Sequence, residues 1–415
     1  MPPLNLLLIG LAGAILGSFV NLAIYSLGFF CARPISPWSK PPDGMRRSWL
    51  DCVPIVGWLS LRREAEQWGR GFWVRPLLIE LALAIGLPWL YRLEMGGFLL
   101  PAVNVPQHIL VAQFVSHTIL ILLMTVATFI DFDEKTIPDT ITIPGTLIGL
   151  LLVTGWPEGG ALPQIEVGMS LQPLWLSTFT VWWTRELNSW PGLLLGTACF
   201  AAWCYALIPK LATLRRGWWK GWIYLHASTF RSPAWWQMGL LALVGSAGIL
   251  IVWLKFAGTP LPFANPWRAL LTSLVGMAFG GALVWAVRIV GYLGLRKEAM
   301  GFGDVILMAM IGAYLGWQST IIVFFLAPFA AVVIAVAQFL ITRRRDIAFG
   351  PYLCAGALLL ILNFPYLWFN WGGPVFGLGW YVPALLVCGL MLMLGLLMGI
   401  RIFENLVFGT SDDPS

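Results

Sequence analysis

The chain has little charge. Asp, Glu, Lys and Arg make up 11 % of its 415 residues, against roughly 25 % in an ordinary soluble domain. With 59 % hydrophobic residues and a mean hydropathy of +0.81, that shortage excludes a soluble globular fold. Acids are scarcest, 19 in all, so a carboxylate beside a long apolar run needs a reason to be there. Histidine is nearly absent: His108, His117 and His226 are too scattered to suggest a metal site. The six cysteines (Cys31, Cys52, Cys199, Cys204, Cys354 and Cys388) include no C-x-x-C pair, which excludes zinc-ribbon spacing. Most of them read as small buried apolar residues. No sequence repeat of fixed period is present. The first apolar run has no basic stretch before it, which reads as a retained span rather than a cleaved signal peptide.

What is present is a series of apolar runs, near 5–29, 76–92, 108–130, 141–155, 190–208, 236–257, 269–293, 304–317, 319–341, 349–364 and 380–401. The expected fold class is an all-α polytopic integral membrane protein with about 11 transmembrane helices. The runs at 141–155 and 304–317 are short for a span of ~20 residues and read as tilted, extended or re-entrant. An odd number of spans puts the termini on opposite sides. With the N-terminus outside and the C-terminus cytoplasmic, every Lys and Arg except Arg92, Arg185, Lys255 and Arg268 falls on the cytoplasmic side. The formal charge of +6 is then a signature of topology; it implies no nucleic-acid partner, and the basic inner loops can meet anionic lipid. The 24 tryptophans, many flanking the runs, read as interfacial belts. Gly276-x-x-x-Gly280 is a close-packing motif for membrane helices.

The division that follows is a first span over 1–30, a cytoplasmic loop over 31–75 and spans over 76–155. Residues 156–268 hold two spans, 269–364 further spans, and 365–415 a last span and tail.

Two acidic sites stand out. Asp131, Asp133 and Glu134 follow the run 109–130 directly, and Ile137-Pro138-Asp139 then restarts an apolar segment. A single Asp here would only mark the water interface. Yet a carboxylate at a helix C-terminus faces the negative end of the dipole, so its placement is unfavourable without a function. Asp139 reads as a helix cap, and Asp133 and Glu134 as solvated. The second site is Gly301-Phe302-Gly303-Asp304, at the mouth of the run 305–317. The bland reading of Asp304 is an N-cap. The glycines would also let a peptide backbone approach the carboxylate. Arg296 and Lys297 fix this end as cytoplasmic, so both acidic sites share one membrane face.

In these residues the chain resembles the type IV prepilin peptidases, a GxGD-type aspartyl protease family. The resemblance is carried by Gly17-Ser18-Phe19-Val20-Asn21, Leu77-Leu78-Ile79-Glu80-Leu81, Ile130-Asp131-Phe132-Asp133 through Ile137-Pro138-Asp139, Lys297-Glu298-Ala299-Met300-Gly301-Phe302-Gly303-Asp304 and Phe349-Gly350-Pro351-Tyr352. It implies that Asp131 and Asp304 are the catalytic pair. It implies supporting or substrate-contacting roles for Gly301, Phe302, Gly303, Asp133, Pro138, Asp139, Gly350 and Pro351. The implied activity is cleavage of the basic leader of type IV prepilins or pseudopilin-like proteins at the cytoplasmic face of the inner membrane. The implied partners are those substrates, with their apolar N-terminal helix, and the lipid bilayer.

Usual members carry two zinc-binding C-x-x-C pairs in the first cytoplasmic loop. Here Arg63-Glu64-Ala65-Glu66-Gln67-Trp68 stands where the second would be, so no metal is expected. Without it the loop is expected to be held by packing of Trp38, Trp49, Trp58, Trp68 and Trp73 and by docking on the inner face of the bilayer. Against the family pattern, 156–268 is an insertion with two extra spans, and 365–415 carries one extra span and a tail. The family's second activity, N-methylation of the product, is associated with that loop. S-adenosylmethionine is needed only if this activity is kept; no other cofactor is implied. Two carboxylates sharing one site would share a proton, one activating water and the other polarising the scissile carbonyl. The helix dipoles would favour the proton on Asp131. The rival readings are another GxGD protease cutting within a membrane helix, a polytopic transporter with a midplane site, and a non-catalytic secretion assembly factor.

Overall fold

Apolar runs with few charged side chains leave the backbone no partner in a bilayer but itself, so they form helices. The computed structural model describes residues 3–28, 36–38, 47–99, 105–160, 162–167, 170–176, 186–208, 231–259, 265–296, 300–342 and 348–408. The chain runs through α1 (Pro3–Leu27), α2 (Val56–Leu61), α3 (Ala65–Trp68), α4 (Val74–Met95), α5 (Gln107–Glu134) and α6 (Asp139–Gly155). A short antiparallel hairpin follows, β1 (Gln164–Val167) and β2 (Ser170–Pro173), with Gln164 opposite Pro173. Then come α7 (Trp190–Ala206), α8 (Ala234–Phe256), α9 (Pro266–Leu295), α10 (Phe302–Thr342), α11 (Gly350–Leu367), α12 (Gly373–Phe376) and α13 (Tyr381–Phe408). Cys31, Lys297 to Ala299, Arg343 to Arg345, the tail after Phe408 and most of the basic loop 209–235 lie outside the described residues.

The molecule is an all-α multi-pass membrane protein. Among the described residues, eight helices are long and apolar enough to cross a bilayer, and α6 is a shorter apolar helix. The figure differs from the expected eleven in two ways. Both α6 and α7 have only 17 residues. And α10 counts once although Gly316 breaks it, with φ 80° and ψ 171°. That conformation is open to glycine and strained for any other residue. Residues 312 and 320 would be about 12 Å apart in a straight helix. Instead a methyl on Gly312 would come within 3.0 Å of Thr320 Cγ2, and one on Gly280 would meet both Met308 O and Thr320 Cγ2. The chain therefore folds back at Gly316, and the runs read at 304–317 and 319–341 are the two arms of a helical hairpin.

The central bundle is α5, α6, α9, α10 and α11. Its core holds Leu120, Met124 and Ala127 of α5, Met308, Ile311 and Tyr314 of α10, and Tyr352 and Leu360 of α11. In lipid the hydrophobic effect does not drive helices together, so close packing and interhelical hydrogen bonds must. Gly276 meets the backbone of Gly312 directly, which makes α9 and α10 the most intimate pair. Ser273 Oγ donates to Ala313 O across the same contact, and Tyr314 Oη donates to Gly145 O at 3.1 Å, joining α10 to α6. Helices α1 and α4 pack on each other and on α5; α7 and α8 pack on each other and on α9; α13 lies outermost, against α9.

The far end of the bundle is plugged by the hairpin region. Leu162, Ile165, Leu174 and Trp175 join the central core. Gln318 Nε2 donates to Trp175 O at 2.9 Å, beside the Gly316 break, and Leu176 N donates to Thr272 Oγ1 at 3.1 Å.

The segment between α1 and α4 was expected to be held by its tryptophans. Trp58 is fully buried, but Trp49 is 74 % and Trp38 46 % exposed. Three fully buried carboxylates hold it instead. Glu64 accepts both arms of Arg47 at 2.8 and 2.7 Å and the Trp68 indole N–H at 3.1 Å. Asp51 accepts from Ser48 N, Ser60 Oγ and Arg63. Burial opposes ionisation of Asp51, but these hydrogen bonds and the Arg63 charge outweigh it and hold the carboxyl below its usual range. Glu80 of α4 accepts from Ser18 and Asn21 of α1, from Ile55 N and from Trp58 Nε1, so one side chain ties two helices to the segment.

Candidate active site

Three helix ends meet at one face of the bundle. Helix α5 runs on until Lys135, which takes the left-handed conformation (φ 58°) and donates its N–H to Asp131 O. That places Asp131 in the last turn of α5, and Asp304 lies in the first turn of α10. The two carboxylates thus lie at opposite ends of helix dipoles. Gly350 opens α11 beside them, followed by Pro351, whose missing N–H costs nothing in a first turn.

Asp131 and Asp304 are 5 % and 6 % exposed, so both carboxylates are buried. They are near enough for the charge of one to act on the other, and the buried Cys354 of α11 lies within reach of both. Asp131 Oδ2 accepts the Gly350 N–H at 3.1 Å. A methyl on Gly350 would lie 2.6 Å from that oxygen and 2.9 Å from Ile137 Cδ1, so a side chain there would have to displace the carboxylate or Ile137. A methyl on Gly303 would meet Ile137 Cβ at 3.0 Å. Ile137 is therefore wedged between the Gly303 turn and the Gly350 turn and sets the spacing between the two acidic elements. The Gly301 backbone N–H faces the Asp304 carboxylate, and Phe302 lies under the Arg288 guanidinium at 5.7 Å. Arg288 also brings its positive charge to Asp304.

The remaining expected residues sit farther out. Asp133 turns away, and Arg75 of α4 holds both its oxygens at 2.8 Å while lying over Tyr25 and Phe129. Pro138 is buried in the turn before α6. Asp139 begins α6 but makes no side-chain cap; Pro138 occupies the cap position and Asp139 is exposed. Sequence reading passed over Ile137, Arg75 and Arg288. Ile137 lies inside the quoted motif and could have been found there. The two arginines come from α4 and α9, and no local pattern connects them to the acids.

The family's zinc does not fit the residues present. The Cys52 thiol is turned to Pro37 O at 3.8 Å, and Glu64 is fully engaged by Arg47 and Trp68. Among the described residues no group of three or more His, Cys, Asp or Glu could hold a metal ion.

Comparison with known proteins agrees with the resemblance. The model of the Type IV leader peptidase family matches residues 193–336, a stretch that includes Asp304 and stops short of Asp131. A prepilin leader peptidase/N-methyltransferase of Aeromonas salmonicida (strain A449) is 31 % identical over 136 residues, covering 29 % of this chain and 43 % of that protein. The protein of the same name from Escherichia coli (strain K12) is 33 % identical over 89 residues, 21 % of this chain and 40 % of its own length. That of Pseudomonas aeruginosa is 29 % identical over 117 residues, 28 % and 40 %. The chain thus spans less than half the length of the curated relatives it matches. No solved structure matches. The chain is similar to the type IV prepilin peptidases.

Proposed function

We propose that this chain is a membrane aspartyl endopeptidase that removes the basic leader of type IV prepilins or pseudopilin-like proteins. Cleavage would take place at the cytoplasmic face of the inner membrane. The observation that carries the reading is the meeting of Asp131 and Asp304, both nearly buried, at one end of the bundle. A transporter site would be expected near the midplane; both acids belong to terminal turns. In the reaction one carboxylate takes a proton from the attacking water as it adds to the scissile carbonyl. The other, protonated, hydrogen-bonds the carbonyl oxygen as negative charge develops there. The resulting tetrahedral species collapses with proton transfer to the leaving amine. Gly350 fixes Asp131, and the open side of Gly301, with no atom closer than 3.8 Å to where a methyl would stand, leaves room beside Asp304 for an extended substrate backbone. The substrate's apolar helix would remain among the spans while the basic leader stays in water.

The relatives carry N-methyltransferase in their name. We propose cleavage without quantitative methylation, because the segment linked to that activity is built here on ion pairs in place of thiols. The test is to incubate the protein, in nanodiscs, with a prepilin-like reporter and weigh the product, with and without S-adenosylmethionine. Cleavage directly after the basic leader, with a product of unchanged mass when the methyl donor is added, is the expected result. Uncut reporter, or cleavage within the apolar helix, contradicts the first proposal. A product heavier by one methyl group contradicts the second.

A further inference from the structure

The segment between α1 and α4 reads in the sequence as a cytoplasmic loop, and its described part packs against α1 and α4 within the length of both helices. Ile55 N and Trp58 Nε1 both bind Glu80, which lies six residues into α4. At 1.5 Å per residue that is about 9 Å from the start of the helix. On the other side, the Trp38 ring lies 5.9 Å from Phe19, a residue of α1 that is 56 % exposed in mid-span. Phe19 stands eight residues before the end of α1, about 12 Å down the helix. The segment thus follows the lipid-facing surface of a spanning helix downward.

Its outer surface suits that position. Trp49, Leu50, Val56 and Leu59 are 74, 45, 50 and 52 % exposed. Val56 and Leu59, three apart on α2, share the face opposite the buried Trp58 and Leu61. Charge follows the same division. Of the acids between 47 and 75, Asp51 and Glu64 are completely buried on internal partners, leaving Glu66. Arg62 and Arg70 remain at the surface.

We propose that residues 48–63 form an interfacial element that rests on the bilayer at the catalytic face. Trp49, Leu50, Val56 and Leu59 enter the headgroup–acyl boundary, and the arginines favour acidic headgroups. Interfacial elements bury their apolar face about 5–10 Å deep, which agrees with the depth set by Glu80. With α1 spanning a bilayer, Trp38 beside mid-span Phe19 faces lipid and lies out of reach of a soluble partner. By holding the segment flush with the bilayer, the element would keep Arg75, Asp133 and the end of α5 at a fixed height above the membrane.

The test uses the full chain with its cysteines replaced, carrying a bimane label at Trp49→Cys or Leu59→Cys, both exposed positions. The protein is placed in nanodiscs of phosphatidylcholine and phosphatidylglycerol in equal parts. A label at Glu166→Cys, exposed on the β hairpin, serves as the aqueous reference. Nitroxide lipids labelled high in the acyl chain should quench positions 49 and 59 at least about threefold more than position 166, and iodide should do the reverse. Removing phosphatidylglycerol should weaken the lipid quenching. Iodide quenching at 49 and 59 equal to that at 166, with no effect of nitroxide lipid, overturns the proposal. So does shielding from iodide that appears only when a prepilin-like peptide is added, which would make the surface a substrate site. Quenching indifferent to phosphatidylglycerol overturns the role given to the arginines.

Discussion

At Asp131 a single backbone hydrogen bond from Gly350 fixes the carboxylate, and the absence of a side chain at 350 makes that bond geometrically possible. Gly350→Ala would push a methyl into the oxygen it serves. Reporter cleavage should fall about 100-fold, the effect of an ångström-scale misplacement of a reacting group, while the amount of protein in the membrane stays near normal. Asp133 is different in kind. Its pair with Arg75 is partly exposed, and such pairs contribute about 1 kcal/mol or less. Asp133→Asn should therefore change cleavage less than about fivefold. Both acids precede the same turn, yet one is walled in by α11 and the other leans on α4. The sequence made Asp131 and Asp304 legible because acids are rare in this chain and these two abut long apolar runs. It could not show that Ile137 spaces them, since that role depends on two glycines brought in from helices more than 160 residues further along.

Among the elements, the segment 47–75 departs most from the C-x-x-C pattern that the family resemblance implies. The Arg47–Glu64 fork closes its two arms together, as a shared metal would, and the carboxylate is fully buried. Removing one partner of such a pair leaves an uncompensated charge, so Arg47→Ala should lower stability by about 3 kcal/mol. The loss should be visible as proteolysis within the segment before the spans unfold. Cys52→Ser together with Cys31→Ser, or treatment with a chelator, should leave cleavage unchanged, and loss of activity in either would show that a metal matters after all. Asp51 adds a pH dependence. Its folded value lies below the unfolded value of about 3.9, so its contribution is complete above that value. The contribution is lost as pH falls through the folded value, where proteolysis of the segment should increase. Aromatic content alone points to the tryptophans as the staple; buried carboxylates with partners scattered from 3 to 62 residues away leave no periodic signal to read. The α10 hairpin was half legible. Two separate apolar runs were visible, but the break at Gly316 shows only when the arms are seen to fold back.

Across the whole molecule, helix positions follow the apolar runs closely because a bilayer permits little else. Side assignment follows the basic residues, and it predicts that Glu166→Cys reacts with an impermeant thiol reagent in intact cells while Gln67→Cys does not. The reverse pattern would invert the molecule. At one face of the bundle the end of α5, the start of α10 and the start of α11 converge. That convergence is the central claim, and the most direct measurement of it is reporter cleavage by purified, nanodisc-embedded Asp131→Asn and Asp304→Asn proteins. Each should lose activity about 100-fold or more while retaining the parent's membrane abundance and elution profile. Near-full cleavage by either variant would contradict the account.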